Sequence, residues 1–504
     1  MAVLVCVTLM AAVAAGAQSP DPLFPQPAGT PLAQNLKRLS IEELTQLDIT
    51  TASRRSEPLS QAAAAVSVLR GEDIRRSGAA NLAEALRLAD GIEVARADNG
   101  TWAISARGFN ISTSNKLLVL IDGRTVYSPL FAGTFWSVQD VPLADIDRIE
   151  VIRGPGGAVW GANAVNGVVT IISKSAAATH GVKVVAGAGT EERAIVTGQV
   201  GGGAPAFDYR VYAKVRARDA LVFGSGVSAD DPVQYAQGGF RLESKGSPRD
   251  SWLLQGDAYG GREGLFDRAD THVAGSNLMA RWGRRFSPNS QLRAQVYFDL
   301  RLTDPTTGAV TLTGTMDFDT ERVIAYEAGY RAELSRRVFV DLATFSNVYD
   351  KLRSQEFPSP SGQPVLLANR MNGRTYGADL SSTLLVLPQW RVHSSYSYLH
   401  VATTFDAGST DRTRRFSEFN DPSHMFRLRS SVDLPRGIEL DGFFRRIARL
   451  PHPVVPAYSE LNARIGWRAS PSWDISLIGQ NLLHARHPEF LLASPTREEF
   501  QRGA

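Results

Sequence analysis

Strict one-by-one alternation in the last two thirds of the chain constrains the fold most. Phe207, Tyr209, Val211, Ala213, Val215 and Ala217 alternate with Asp208, Arg210, Tyr212, Lys214, Arg216 and Arg218. Leu292, Ala294, Val296, Phe298 and Leu300 do so with Arg293, Gln295, Tyr297, Asp299 and Arg301. The same rhythm returns at 426–433 and 461–468. Successive strand residues point to opposite faces, so each segment has one apolar face and one charged face. Such a strand suits a membrane barrel, with lipid on one side and a wet lumen on the other. A soluble sandwich or propeller also alternates. The barrel is favoured by the length of the strands, by charge recurring on the polar face, and by aromatics near strand ends. Trp252, Trp282, Trp390 and Trp473 have the placement of an interfacial girdle.

Composition narrows the choice without deciding it. A chain of 504 residues with 43% hydrophobic and 21% charged residues is neither collagen-like nor mostly disordered. One cysteine excludes a disulfide scaffold. A net charge of +3 is too small for a nucleic-acid binder.

The first 17 residues, MAVLVCVTLMAAVAAGA, are short and apolar and end in Ala15-Gly16-Ala17, a small-residue cleavage pattern. Residues 1–17 are therefore expected to be a signal peptide, although no Lys or Arg precedes the apolar stretch. The alternative is a buried or membrane helix. No later stretch holds about 18 consecutive apolar residues, so no further membrane helix is expected. Residues 18–60 are expected to be flexible: 18–38 are Pro-rich, 39–47 have helical spacing behind Ser40, and 48–60 are polar. Residues 61–178 have the mixed grammar of an α/β domain. Strands are expected at Val66–Leu69, Leu117–Ile121, Ile146–Ile152 and Val168–Ile172, with a helix opening at Asn81 and stopping before Gly91.

Residues 149–174 read IEVIRGPGGAVWGANAVNGVVTIISK. Around them, in order, stand GEDIRRSGAANLAEALRLADGIEV (71–94), ISARGFN (104–110) and LLVLIDGRTVYSPL (117–130). This series resembles the plug domain of TonB-dependent outer-membrane transporters. FDTERVIAYEAGYR (318–331) and WDISLIGQNLLHARHPEF (473–490) resemble late barrel strands of the same family. A phosphate-binding loop is excluded at 154–161, because no Lys-Ser/Thr pair follows the glycines.

The resemblance implies a mainly β fold, a transmembrane antiparallel barrel with an N-terminal α/β plug. It implies no enzyme activity and no cofactor. The implied partners are the TonB energy-coupling protein, outer-membrane lipid and a small-molecule ligand, first a ferric siderophore, alternatively cobalamin or a saccharide. A third alternative is a barrel fragment that transports nothing. TonB would pair with a short mobile segment by strand addition. Here the candidates are Asp48, Ile49, Thr50 and Thr51, where a Thr stands in place of the family's usual Val. Arg153 would tie plug to barrel wall, a structural role. Gly154, Gly156, Gly157 and Gly161 are expected to allow a tight turn that a side chain would block.

Ligand contact is assigned to Arg107, Phe109 and Asn110 and to the loop carrying Tyr127, Phe131, Phe135 and Trp136, where aromatics have little polar cover. Packing against the barrel interior is the alternative. The excess of Arg and Lys on the charged strand faces points to an anionic ligand. No metal site is expected: His484 and His487, the nearest histidine pair, lie in a turn after a strand.

Residues 179–504 are short for the family's roughly 22 strands, and pattern alone gives roughly 15. Central strands are expected to be missing near 303–317, and the family's final strand with its terminal aromatic is expected to be missing where the chain ends EEFQRGA. Strand 182–189 should therefore meet 472–482 imperfectly or leave a gap.

Overall fold

The computed structural model describes strand Ala2–Ala15, Glu43 and residues 46–503, except 55, 113–114, 129–132, 246, 248, 266–267, 288–289, 304–311, 315–317, 359–364, 413–419, 491–497 and 502. Within these residues the chain forms a mixed α/β plug and a wall of long antiparallel strands. Ser40 and most of the expected 39–47 helix lie outside the described residues.

The plug sheet comprises β1 (Ala65–Arg70), β2 (Leu117–Ile121), β3 (Ile146–Arg153) and β4 (Gly167–Ser173). β3 is antiparallel to both β1 and β4, and β4 is parallel to β2. The run LLVLI in β2 is buried at every residue, as a central strand covered on both faces requires. Helix α1 (Gly71–Ser77) follows β1 directly and ends at Gly78, whose φ of 76° makes a left-handed stop. The next helical turns, from Leu82 to Leu88, start at Asn81, whose side chain accepts the Glu84 amide. The plug core packs Ile74, Leu82, Leu86, Ile104, Val119, Ile149 and Ile171 together.

Fifteen long strands of the described residues form the wall, in two sheets. The first holds β5 (Gly181–Gly187), β6 (Glu192–Gly203), β7 (Phe207–Arg218), β8 (Val233–Ser244), β9 (Asp250–Leu265), β10 (Arg268–Ser287) and β11 (Ser290–Thr303). The second holds β12 (Arg322–Ser335), β13 (Val338–Glu356), β14 (Val365–Leu387), β15 (Trp390–Phe405), β16 (His424–Leu434), β17 (Ile438–Ile447), β18 (Tyr458–Ser470) and β19 (Trp473–Gly479).

Burial along these strands is the reverse of a soluble sheet. In β7, Arg210, Lys214, Arg216 and Arg218 are buried, whereas Val211 and Val215 are half exposed. In β18, Glu460 and Arg464 are buried while Ile465 and Trp467 face outward. Charge inside and hydrocarbon outside is the signature of a barrel in lipid. It removes the soluble alternatives left open by the alternation.

Turns at one end of the wall are short, as at 336–337, 388–389 and 471–472. The other end carries the longer connections 219–232, 304–321 and 406–423. Trp252, Trp282, Trp390 and Trp473 all sit at the short-turn end.

The wall is open along two seams. Among the described residues no ladder joins β5 to β19, and none joins β11 to β12. Val182 on one side of the first seam and Leu477 on the other are 77% and 69% exposed. This is the gap expected from strand 182–189. The second seam falls where missing strands are expected; residues 304–311 and 315–317 there lie outside the described residues. At this seam Ala2–Ala15 runs antiparallel along β11, from Ala2 opposite Thr303 to Ala15 opposite Ser290. The run expected to be a leader thus lies against the bare edge of β11, whose backbone groups would otherwise lack partners on that side.

Candidate functional site

At the short-turn end the chain enters the plug through Asp48–Ile49, which pairs with Glu57–Pro58. Asp48 is exposed, but Ile49 is fully buried against Val66, Leu118 and Ile152. One carboxylate holds the next two residues. Glu150 Oε2 accepts the Thr50 and Thr51 amides, both at 2.9 Å, and the Thr51 hydroxyl at 2.6 Å. Trp160 Nε1 donates to the Thr51 carbonyl at 2.7 Å, and Arg54 lies over the Trp160 ring. The expected mobility at 48–60 is therefore corrected, because a buried acceptor and an apolar anchor dock the segment. Arg331 of β12 adds donors to the Leu59, Ala62 and Ala64 carbonyls.

Plug apices at the long-loop end hold the candidate ligand contacts. Arg107, Phe109 and Asn110 are all buried and turned into the wall. Arg107 pairs with Glu327 of β12 and stacks over Phe345. Phe109 meets Tyr349 edge-on, with centroids 5.0 Å apart, in a cluster with Leu352, Met371 and Val401. The Asn110 amide donates to Asp421 at 3.1 Å, and its carbonyl accepts from Asn420. Positive φ values at Arg107 (54°) and Phe109 (61°) aim these side chains at the wall. Trp136 is buried in the plug core, while Tyr127 and Phe135 are half-buried. Phe131 lies outside the described residues.

A small cavity of about 20 Å³ lies beside this loop. Its lining includes Ser137 and Asp140 of the plug and Lys214, Arg216, Tyr235 and Tyr259 of the wall. Near it, Arg301 of β11 lies 5.0 Å over the Phe135 ring, and its Nη1 has no hydrogen-bond partner among the described residues. Arg216 Nε is likewise unpaired. Arg216 and Arg301 carry no sequence mark that separates them from the other lumen arginines. Only the position of the plug loop singles them out.

The Arg153-to-Gly161 turn links the two ends, with Gly154 beside Arg107 and Trp160 beside Thr51. Arg153 pairs with Asp379 of β14 at 3.1 Å, and both are buried. Gly154, at φ 123°, lies where a Cβ would come within 2.8 Å of the Arg107 guanidinium. At Gly156 a Cβ would press on Val168 at 2.7 Å. Gly157 and Gly161 have open space around them, so the steric reading is corrected at these two. Gly161 retains a conformational reason, φ 79°.

The lumen arginines are largely matched by the plug. Arg210 meets Asp145 at 3.5 Å, Lys214 meets Asp140, Arg218 meets Glu84 at 2.8 Å, and Arg241 meets Asp122 at 3.2 Å. Much of the basic charge on the first sheet therefore answers plug carboxylates.

On the other side Arg87 of the plug reaches Glu489 at 2.7 Å, and Arg445 of β17 pairs with both Glu460 and Glu489. Glu460, His487 and Glu489 are the one trio among the described residues spaced for a metal. Two guanidinium groups already neutralise the two carboxylates there, so the trio offers a cation no net charge. The sequence could not reveal this cluster, because Arg87 lies hundreds of residues from its partners. Glu93, buried beside Arg427, is pushed up to about 7 by burial.

Residues 58–168 match the family described as TonB-dependent Receptor Plug Domain, and residues 269–482 match TonB dependent receptor-like, beta-barrel. The vitamin B12 transporter BtuB of Vibrio vulnificus is 36% identical over 145 residues, 28% of this chain and 23% of that protein. BtuB of Photobacterium profundum is 32% identical over 163 residues, 32% of this chain and 26% of that protein. The matched stretch thus spans about a quarter of these relatives' length. Among solved structures, the copper transporter OprC superposes with a TM-score of 0.71 at 12% identity, covering 88% of this chain and 97% of that one. The ferripyoverdine receptor of the outer membrane of Pseudomonas aeruginosa gives 0.65 at 13%, covering 91% and 88%. At such identities these two share the fold.

Proposed function

We propose, from the premise that this chain belongs to the TonB-dependent receptor family, that it takes up a scarce metal chelate across the bacterial outer membrane, driven by TonB. Residues 1–17 direct export. The chelate binds at the long-loop end, and TonB pairs with 48–51 at the opposite, periplasmic end once that segment leaves its contacts with Glu150 and the Ile49 pocket. A family of receptors and transporters calls for no enzyme chemistry, and the reading uses none.

The ligand is first a ferric siderophore. The observation that supports this is the cluster beside Ser137 and Asp140, where Lys214, Arg216, Tyr235 and Tyr259 line a small cavity and the Phe135–Arg301 pair lies nearby. Incompletely paired guanidinium groups beside aromatic rings suit an anionic chelate with aromatic or apolar parts. Cobalamin is the second reading, favoured by the plug's 36% identity to a vitamin B12 transporter.

The test is uptake of a labelled ferric siderophore by cells expressing this chain, with and without an uncoupler. Uptake should stop on uncoupling, and Arg216→Ala with Arg301→Ala should weaken binding about tenfold, the scale of one or two charge-assisted hydrogen bonds. Uptake that persists after uncoupling would sink the energised mechanism. Growth restored on cobalamin and on no iron source would replace the siderophore with the second reading.

A further inference from the structure

The second seam has two edges that match. β11 precedes the long connection 304–321 and runs toward the long-loop end, whereas β12 follows it and runs back. Each strand is 14 residues long. Direction and length therefore allow antiparallel pairing of one with the other. The first seam differs, because β5 and β19 both run toward the long-loop end.

Ala2–Ala15 lies along β11 as an antiparallel strand, so this edge accepts a partner of that sense. Removal of 1–17 on export leaves the edge bare, and unsatisfied backbone groups are costly in hydrocarbon.

β11 and β12 of one chain are held apart by the plug. Gln295 Nε2 donates to the Gly123 carbonyl at 2.9 Å, and Asp299 pairs with Arg124. Across the seam Glu327 pairs with Arg107, and Arg331 donates to the Leu59, Ala62 and Ala64 carbonyls. Closing the seam within one chain would pull one edge off these contacts.

The side chains set a register. Even-numbered residues face outward on both strands, among them Val296 on β11 and Ile324, Tyr326, Tyr330 and Leu334 on β12. Opposed residues of an antiparallel pair share a face, so odd must meet odd. One such register sets Arg301 opposite Glu327 and Tyr297 opposite Arg331 on the lumen face, with Phe298 opposite Tyr330 and Val296 opposite Ala332 outside. Arg301 Nη1, which lacks a hydrogen-bond partner among the described residues, then meets a carboxylate. Asp299 falls diagonal to both Glu327 and Arg331 and keeps Arg124. Glu333 and the turn residue Arg337 are the two diagonal neighbours of Arg293. Sliding two residues one way would set Asp299 against Glu327. Sliding two the other way would leave Arg301 opposite Gly329.

We propose that a second copy of this chain closes the second seam, with β11 of each copy pairing with β12 of the other about a twofold axis along the membrane normal. Such an axis keeps strand direction, so the two ladders are one contact made twice. Glu327 of the second copy then completes the pairing of Arg301 near the ligand cavity. The proposal rests on the outer-membrane reading above and on the loss of 1–17.

The test uses the full chain expressed in cells and purified in detergent. Native mass spectrometry should give twice the mass of the processed chain. Cysteines then read the register in a Cys6→Ser background. Two differently tagged chains, one with Val296→Cys and one with Ala332→Cys, should form a disulfide-linked heterodimer when made together, because opposed Cβ atoms are close enough to bridge. Its yield should be about tenfold that of Val296→Cys with Ala328→Cys, which stands about 13 Å out of register. Both changes in one chain should still link two copies. A bridge within the chain, equal yields from the two pairings, or a single-chain mass alone would each overturn the proposal. Siderophore uptake measured in parallel separates the two readings. Uptake by a chain that stays single fails this inference alone, and a linked pair without uptake fails the transport reading alone.

Discussion

The two halves of the wall hold the same plug with opposite charge. In the first sheet the wall mostly supplies the cation: Arg210, Lys214, Arg218 and Arg241 meet plug carboxylates. In the second the plug mostly supplies it. Arg75 reaches Glu439 at 2.7 Å, Arg76 reaches Asp433 and Asp441, Arg87 reaches Glu489, Lys116 meets Glu321, and Arg153 meets Asp379. Exceptions exist on each side: Arg96 with Glu191 and Arg124 with Asp299 on the first, Asp73 with Arg429 and Asp90 with His393 on the second. The overall polarity still means that a plug turned half a revolution would set like charges together. Orientation is thus specified by repulsion as well as attraction.

The strongest test of this asymmetry is Arg87→Met. It removes the plug's guanidinium from the buried carboxylates Glu460 and Glu489, leaving Arg445 alone to balance both, and should lower stability by about 3–5 kcal/mol in denaturant unfolding of the refolded chain. On the opposite side Arg210→Met should lose less, about 1–3 kcal/mol. Its partner Asp145 is already shifted upward by burial, so it can take a proton when the guanidinium is gone. Equal losses would show that the two walls grip the plug alike and would break the comparison.

A smaller effect is expected at the plug strand facing the second wall. Burial pushes Glu93 up to about 7, although Arg427 and Arg445 pull the other way. Asp421, in the loop beside Asn110, is pushed up to about 6, also by burial. A raised carboxyl favours the fold while neutral. Its contribution is full below the ordinary carboxyl range and is lost as pH rises through the folded value. Glu93→Gln should therefore flatten the fall in unfolding midpoint between about pH 4.5 and 7. An unchanged pH profile would place the proton elsewhere.

The mildest change is local. Glu150→Gln leaves the plug folded but weakens the charge-assisted capture of Thr50 and Thr51, and exchange at those amides should quicken roughly tenfold. If their exchange does not change, the apolar anchor at Ile49 docks the segment without help from Glu150.

Much of this was legible in the residues. The runs LLVLI and VVTII announce buried strands, because only a strand covered on both faces is apolar without interruption. Alternation in 207–218 announces a wall strand with a charged face. The short tally of strands and the gap between 182–189 and 472–482 follow from counting residues. The site was less legible. Arg107, Phe109 and Asn110 read as apex residues, and they are at an apex, but positive φ at Arg107 and Phe109 turns them into the wall. Thr50 and Thr51 read as part of a flexible segment because their partner, Glu150, lies about a hundred residues away.

The sequence by itself determined what depends on neighbours in the chain: strand period, turn positions, the Gly-rich turn after Arg153, and the presence of two faces on every wall strand. Only the tertiary structure decided which charge on those faces meets which. Arg218 and Arg216 stand two apart on one strand face, yet one is locked to Glu84 while the other borders a cavity with an unpaired nitrogen. Periodicity fixes the direction of a side chain, but its partner lies across a lumen on a segment about a hundred residues distant. Coulomb energy depends on that distance in space, which the spacing along the chain does not contain.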